Sequence, residues 1–394
     1  MHGWRATGGA MVIAVLAATG SASGQTTERV SLSAAGAQAI GGRYAPRPSI
    51  GAEGTTVAFE SPIATLVTGD TNDAVDIFVA AGGVLTRVMG TGNVQPNCTS
   101  QRPSVSADGR YVSFDSCATN MVAGDTNNLS DVFVLDRSTN IVTRVSVSTA
   151  GTQATGGPSY ASAISPNGRY VAFLSQASNL DGAVFGTYAY LRDTVGGTTH
   201  LVSRMPAGNL MTSDVRPSVA DNGTVAFASA TNVPALDDSN GVSDVYLRVG
   251  ATGGSPTTVR ASVSATGASL AALSTRPSIS ADGQLVAFET AAPAVPADTN
   301  GLTDIYVRDI TQATTVLVSR TAGGNGGNGN SMEAFIAAGA GSGHVSFTSN
   351  ANDLAGAADA VTDVFRASLS RAPLAVTGVT RASVPVGSPS GRAP

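Results

Sequence analysis

The sequence predicts an all-β protein, a six-bladed β-propeller of four-stranded antiparallel blades. Three observations predict it. One phrase recurs six times along the 394 residues. Each copy holds four short strand candidates separated by turn residues. The composition is β-leaning and turn-rich, with 46 Gly, 18 Pro and only 12% charged residues. Blades stacked face on face need two apolar faces per sheet and a turn every few residues.

The recurring phrase is an apolar pair, a Gly turn, then Val-(Ala/Ser)-Phe. Its phenylalanines are Phe59, Phe114, Phe173, Phe227, Phe288 and Phe347, spaced 55, 59, 54, 61 and 59 residues apart. A near-constant period of this length marks a repeat array. Copy two shows the four strands best, at residues 103–106, 110–116, 131–135 and 141–147. Asp108-Gly109 supplies a tight hairpin turn between the first two. A unit of about 57 residues is too short for a self-sufficient sandwich, which needs roughly 100.

A ring must also close. Residues 143–148 of copy two read Thr-Arg-Val-Ser-Val-Ser, and residues 28–33 read Glu-Arg-Val-Ser-Leu-Ser. The second segment is thus a fourth strand placed before the first blade. Copy six shows a poor fourth strand of its own after residues 363–367. The N-terminal strand is therefore expected to complete blade six, closing the ring and removing two sheet edges.

The phrases R-P-S-V-S-A-D-G-R-Y-V-S-F (residues 102–114) and G-D-T-N-N-L-S-D-V-F-V (residues 124–134) carry a resemblance. With their counterparts in the other copies, they resemble exported bacterial propellers of the TolB-like, WD40-like (PD40) repeat type, over residues 28–370. The resemblance implies a protein-interaction module in the periplasm or at the cell surface.

The ends fit export. Residues 1–24 combine Arg5, a short apolar core from Ala10 to Ala18 and small residues after it, which is a signal-peptide pattern. Residues 25–372 hold the propeller. Residues 373–394 are rich in Pro, Gly and Ser and read as a flexible tail.

A second phrase lies between the second and third strands of each copy, as Asp-x-Asn-x-x-x-Asp. It comprises Asp70, Asn72 and Asp76; Asp125, Asn127 and Asp131; Asp238, Asn240 and Asp244; and Asp298, Asn300 and Asp304. Copy six keeps Asp359 and Asp363, and copy three only Asp181. Two readings stand. Oxygen ligands two residues apart on a turn suit calcium, although the distal Glu of an EF-hand loop is missing. Alternatively the side chains brace the turn by bonding backbone N–H groups and a nearby cation. Copies one, two, four and five carry Arg47, Arg102, Arg216 and Arg276 ahead of the first strand. Ala161 and Glu333 replace them in copies three and six. Copies with the full loop are thus the copies with Arg, so each Arg is expected to pair with the last loop Asp. Glu333, Asp359 and Asp363, with no Arg, form the best single cation candidate.

Cys98 and Cys117 are the only cysteines. The Asp108-Gly109 turn places both at the open end of one hairpin. In an oxidising compartment they are expected to form a disulfide.

Composition excludes several activities. All 22 basic residues are Arg, so no lysine serves a Schiff base or a P-loop. The net charge is −5 and no basic stripe exists to neutralise phosphates, which excludes nucleic-acid binding. His200 and His344 are the only histidines after the leader, too few for a His-rich metal centre, and each is read as structural or exposed. The expected product is an exported, non-enzymatic module that binds an envelope or extracellular protein. It is expected to be monomeric, with no membrane span after leader removal. A secreted polysaccharide hydrolase or lyase, and a calcium-binding surface propeller, are the alternatives.

Overall fold

The hairpin phrase Ser-Ala-Asp-Gly folds through its own side chains. Ser106 Oγ donates to Asp108 Oδ1 (2.6 Å), which also accepts the Arg110 N–H (3.0 Å), while Ser106 Oγ accepts the Tyr111 N–H (2.9 Å). Ser165 with Asn167 and Ser280 with Asp282 repeat this arrangement. Such local bonds hold the turn within its own residues. The glycine that follows is at φ +75° in Gly168, where a Cβ would also lie 2.3 Å from the Tyr111 ring of the preceding blade.

The computed structural model describes residues 30–33, 36, 48–182, 185–338, 342–355 and 361–383, all within one unit, Arg29–Ser383. The signal-peptide segment lies outside them. These residues form six four-stranded sheets, each with its strands in sequence order and antiparallel throughout. The fold is a six-bladed β-propeller. Blade one holds Ser49–Ile50, Thr56–Ser61, Asp76–Ala81 and Val84–Arg87, and blade two Ser100–Val105, Tyr111–Ser116, Asp131–Asp136 and Ile141–Arg144. Blades three, four and five run through residues 159–201, 218–260 and 274–317. Blade six has longer strands, Ser331–Ala338, Ser342–Ser349, Asp363–Arg371 and Leu374–Arg381.

The phenylalanine of each repeat stacks on an aromatic residue of the third strand, from Phe59–Phe78 (5.7 Å between centroids) to Phe347–Phe365 (5.6 Å). Neighbouring blades then share apolar clusters. Ala58, Ile77 and Val79 of blade one meet Val105, Val112 and Phe114 of blade two, and equivalent clusters join each pair on to blades five and six.

Two expectations about the ends are corrected. The fourth strand of blade six is Leu374–Arg381, and the described part of the N-terminal segment, residues 30–33, adds no strand to that sheet; residues 28 and 29 lie outside the described residues. The tail accordingly does not begin at Pro373. The reason is a repeat hidden in the Pro/Gly/Ser-rich end. Val379-Thr380-Arg381-Ala382-Ser383 copies Val142-Thr143-Arg144-Val145-Ser146. The copy makes the same bonds, with Arg381 Nη2 2.8 Å and Ser383 Oγ 2.5 Å from Asp363. Val30 packs instead on blade one, against Phe59, Leu66 and Phe78.

The register pairs Ser100 with Ser116, and Cys98 and Cys117 are disulfide-bonded with Cα atoms 5.4 Å apart.

Candidate functional site

The Asp/Asn loops enter the third strands on the edge of each sheet where the first strands also begin. In blade two, Asn127 Oδ1 accepts the Leu129 N–H (2.9 Å), closing an Asx turn. Its Nδ2 donates to Asp131 Oδ2 (2.9 Å) and to the Ala154 carbonyl (3.0 Å), which belongs to the connection into blade three. Asp131 is fully buried and also accepts Ser146 Oγ (2.5 Å). Arg144 Nη1, at the end of the fourth strand, lies 3.2 Å from Asp125 and 3.3 Å from Asp131. Asp125, Asn127 and Asp131 thus each hold another group of the chain.

The other copies vary one component at a time. In blade one, Asn72 bonds Asp76 (3.2 Å) and the Pro96 carbonyl (3.0 Å), and Arg87 bridges Asp70 (2.9 Å) and Asp76 (3.4 Å). In blade four, Asn240 bonds Asp244 (3.0 Å), Arg260 stands 3.8 Å from Asp244, and Tyr246 Oη donates to Asp238. Blade five lacks the arginine, since Leu317 occupies its place. There Tyr306 Oη donates to Asp298, while Asn300 (2.8 Å) and Ser319 (2.5 Å) bond Asp304. In blade three, Asp181 Oδ2 accepts the Leu201 N–H (2.8 Å).

Arginines do brace the loops, but not the ones expected. The pairing residues are Arg87, Arg144, Arg260 and Arg381 of the fourth strands. Their sequence signal is (Arg/Leu)-(Val/Ala)-Ser after each fourth strand from blade two onward. Arg102 pairs with Asp115 (2.9 Å) and Arg276 with Glu289 (2.7 Å), both on the second strand of the same blade. The antiparallel register is the reason, because it sets Gln101 opposite Asp115 and Thr275 opposite Glu289. Arg47 and Asp359 lie outside the described residues.

The first-strand arginines build a second network around the axis. Arg102, Arg276, Ala161 and Glu333 all have φ between 47° and 58°, and each sits in a bulge of its first strand. The bulge turns a backbone N–H toward the preceding blade. Arg102 N–H donates to Glu60 (2.6 Å), Ala161 N–H to Asp115 (3.0 Å) and Glu333 N–H to Glu289 (3.0 Å). Asp115 and Glu289 therefore join an arginine of their own blade to the backbone of the next. Arg216 spans further, donating to the Ser162 carbonyl (2.7 Å) of blade three and the Pro103 carbonyl (3.1 Å) of blade two. The side chains of Arg102 and Arg276 remain 34% and 50% exposed, and Glu333 is exposed.

Burial sets the electrostatics. Asp76, Asp115 and Asp304 are pushed up to about 6, with desolvation the largest cause in each. Arg87 opposes it at Asp76, and Arg102 at Asp115.

These loops do not fit calcium in blades one, two and four. A guanidinium already lies against the carboxylates, and Asn and Ser donors take further lone pairs, whereas calcium needs six to eight free oxygens. Among the described residues no group of three or more His, Cys, Asp or Glu side chains is placed to hold a metal ion. Asp363 is taken by Arg381 and Ser383. His200 Nε2 lies 2.9 Å from Thr198 Oγ1, and His344 Nδ1 3.4 Å from Ser368 Oγ. Neither ring has a carboxylate partner among the described residues.

No protein-family model matches the chain, and no curated protein matches it. Solved structures share its architecture. TolB from Acinetobacter baumannii is 14% identical with a TM-score of 0.41, over 76% of this chain and 62% of that one. This chain therefore spans under two thirds of that TolB. A putative TolB from Agrobacterium tumefaciens is 15% identical with a TM-score of 0.43, over 76% and 84%. The β-propeller domain of the Trilobed protease from Pyrococcus furiosus is 12% identical with a TM-score of 0.46, over 81% and 79%. The class the structure defines is the six-bladed β-propeller, and the likeness to TolB and to peptidase propellers is one of fold.

Proposed function

We propose that this chain is an exported, non-enzymatic propeller that binds a periplasmic or extracellular protein through the face bearing the Asp/Asn loops and the first-strand arginines. One observation carries the reading. The Asp and Asn side chains that recur with the repeat are consumed in holding the blades, while Arg102, Arg276 and Glu333 keep exposed charge near the axis on the same edge of the sheets. Charged groups held on a rigid scaffold suit partner recognition. The leader-like residues 1–24 support export.

The test is capture from an envelope extract by the purified mature protein, with Arg102→Glu/Arg276→Glu as control. The wild type should enrich a defined protein, and the charge-reversed variant should lose it by about tenfold or more, a change of about 1.4 kcal/mol. Equal capture by both removes this face from the reading. Cleavage in a polysaccharide panel that is abolished by a single Asp substitution would overturn the non-enzymatic role.

A further inference from the structure

Five joints between blades follow one rule. The apolar residue after the repeat serine of each first strand packs on the preceding blade. Val105, Ile164, Val219, Ile279 and Ile336 are all buried this way. In four joints its N–H is accepted by the repeat serine of that blade, from Ser49 to Val105 (3.0 Å), Ser104 to Ile164 (3.2 Å), Ser218 to Ile279 (3.1 Å) and Ser278 to Ile336 (3.0 Å). The third strand contributes two apolar residues to the next joint, such as Val132 and Val134, or Val245 and Leu247.

The sixth joint, from blade six to blade one, breaks each part of the rule. Ile50, the counterpart of Val105, is 53% exposed. Phe335 stands where the accepting serine belongs and is 58% exposed. On the third strand Val364 is 42% exposed, and Arg366 replaces the second apolar residue and is exposed. Thr348 stands where Glu60, Asp115 and Glu289 supply a carboxylate to the next blade. Burial along this strand alternates, whereas the third strand of blade five is buried throughout. Among the described residues no apolar cluster joins blade six to blade one. Polar substitution on an outer face is how repeat arrays end in water, and sealing this joint would bury an unpaired guanidinium.

We infer that the ring has a built-in opening. At Ile50, Phe335, Val364 and Arg366 the seam between blades six and one stays hydrated and separable, while the other five joints are sealed; on the blade-one side Val30 covers Phe59, Leu66 and Phe78. The inference concerns the joint itself and is independent of the binding role.

Thiol accessibility tests it. Ile50→Cys and Val105→Cys occupy equivalent positions, one at the seam and one at a sealed joint. In the native protein an Ellman-type reagent should label Ile50→Cys at close to the free-thiol rate. Val105→Cys should react more slowly by on the order of 100-fold, since it must wait for local opening. Phe335→Cys gives a second seam probe should Val105→Cys or Ile50→Cys fold poorly. Adding Phe335→Ser with Arg366→Val restores the sealed-joint residues and should slow labelling of Ile50→Cys. Protection of both seam thiols at every protein concentration means a closed ring and overturns the inference. Protection that grows with concentration means a second copy covers the seam, and overturns it equally.

Discussion

At the scale of single residues, the last Asp of each loop is the group on which the most bonds converge. Asp131, itself buried, accepts Asn127 and Ser146 and faces the half-buried Arg144. Asp131→Ala leaves Asn127 and Ser146 each short of an acceptor and Arg144 with Asp125 as its remaining carboxylate, so a loss of about 2–3 kcal/mol is expected. Asn127→Ala removes one Asx turn and one amide link between blades, worth about 1–2 kcal/mol. Urea melts of the two variants should rank in that order, and melts with calcium or EGTA should superimpose for wild type. A calcium-dependent shift would show that the carboxylates hold a cation and not Arg144. The sequence displayed these residues through their period, but not their partners. Fourth-strand arginines are as periodic as the loops. Spacing shows which positions recur, and only register shows which face each other.

At the scale of elements, the four-strand blade was legible almost throughout. Its hairpin turn, its strand alternation and its aromatic position are each set by local chemistry. The miss was the last strand of blade six. Pro373, Gly378 and Pro385 disguise it as a linker, and the Val-Thr-Arg-Ala-Ser motif is the only local trace. This element has its own test. A chain ending at Arg371 lacks the fourth strand and leaves Asp363 without Arg381 and Ser383. It should unfold at lower urea by about 3–5 kcal/mol or fail to accumulate folded. If residues 28–33 completed blade six, this truncation would be nearly silent. Circular dichroism melts of the two chains distinguish the outcomes.

At the scale of the whole molecule, the blades share one electrostatic design, in which carboxylates are withdrawn from water into the joints. Its consequence is a pH dependence. Burial raises Asp76, Asp115 and Asp304 to about 6 from 3.8, and raises Asp131, Asp244 and Glu289 as well. As pH falls below about 6 the folded chain takes up protons at these sites before the unfolded chain does, so their linkage favours folding. That gain is complete below about 4, where both states are protonated. Asp108, Asp193 and Asp282 are shifted the other way: desolvation is the largest single effect at Asp108 and Asp282 but is outweighed by the sum of their hydrogen bonds and nearby arginines, and at Asp193 the Arg169 bond leads; their contribution is lost only below about 4. The two sets together place the stability maximum near pH 4, with Tm falling from there through about pH 6 and levelling above it. Asp304 has no arginine in its loop, so Asp304→Asn should flatten the slope between pH 4 and 6 without changing the acid limb. A Tm that is level or rising from pH 4 to 6 would mean that the buried carboxylates stay ionised at no cost, and that the arginines compensate them fully.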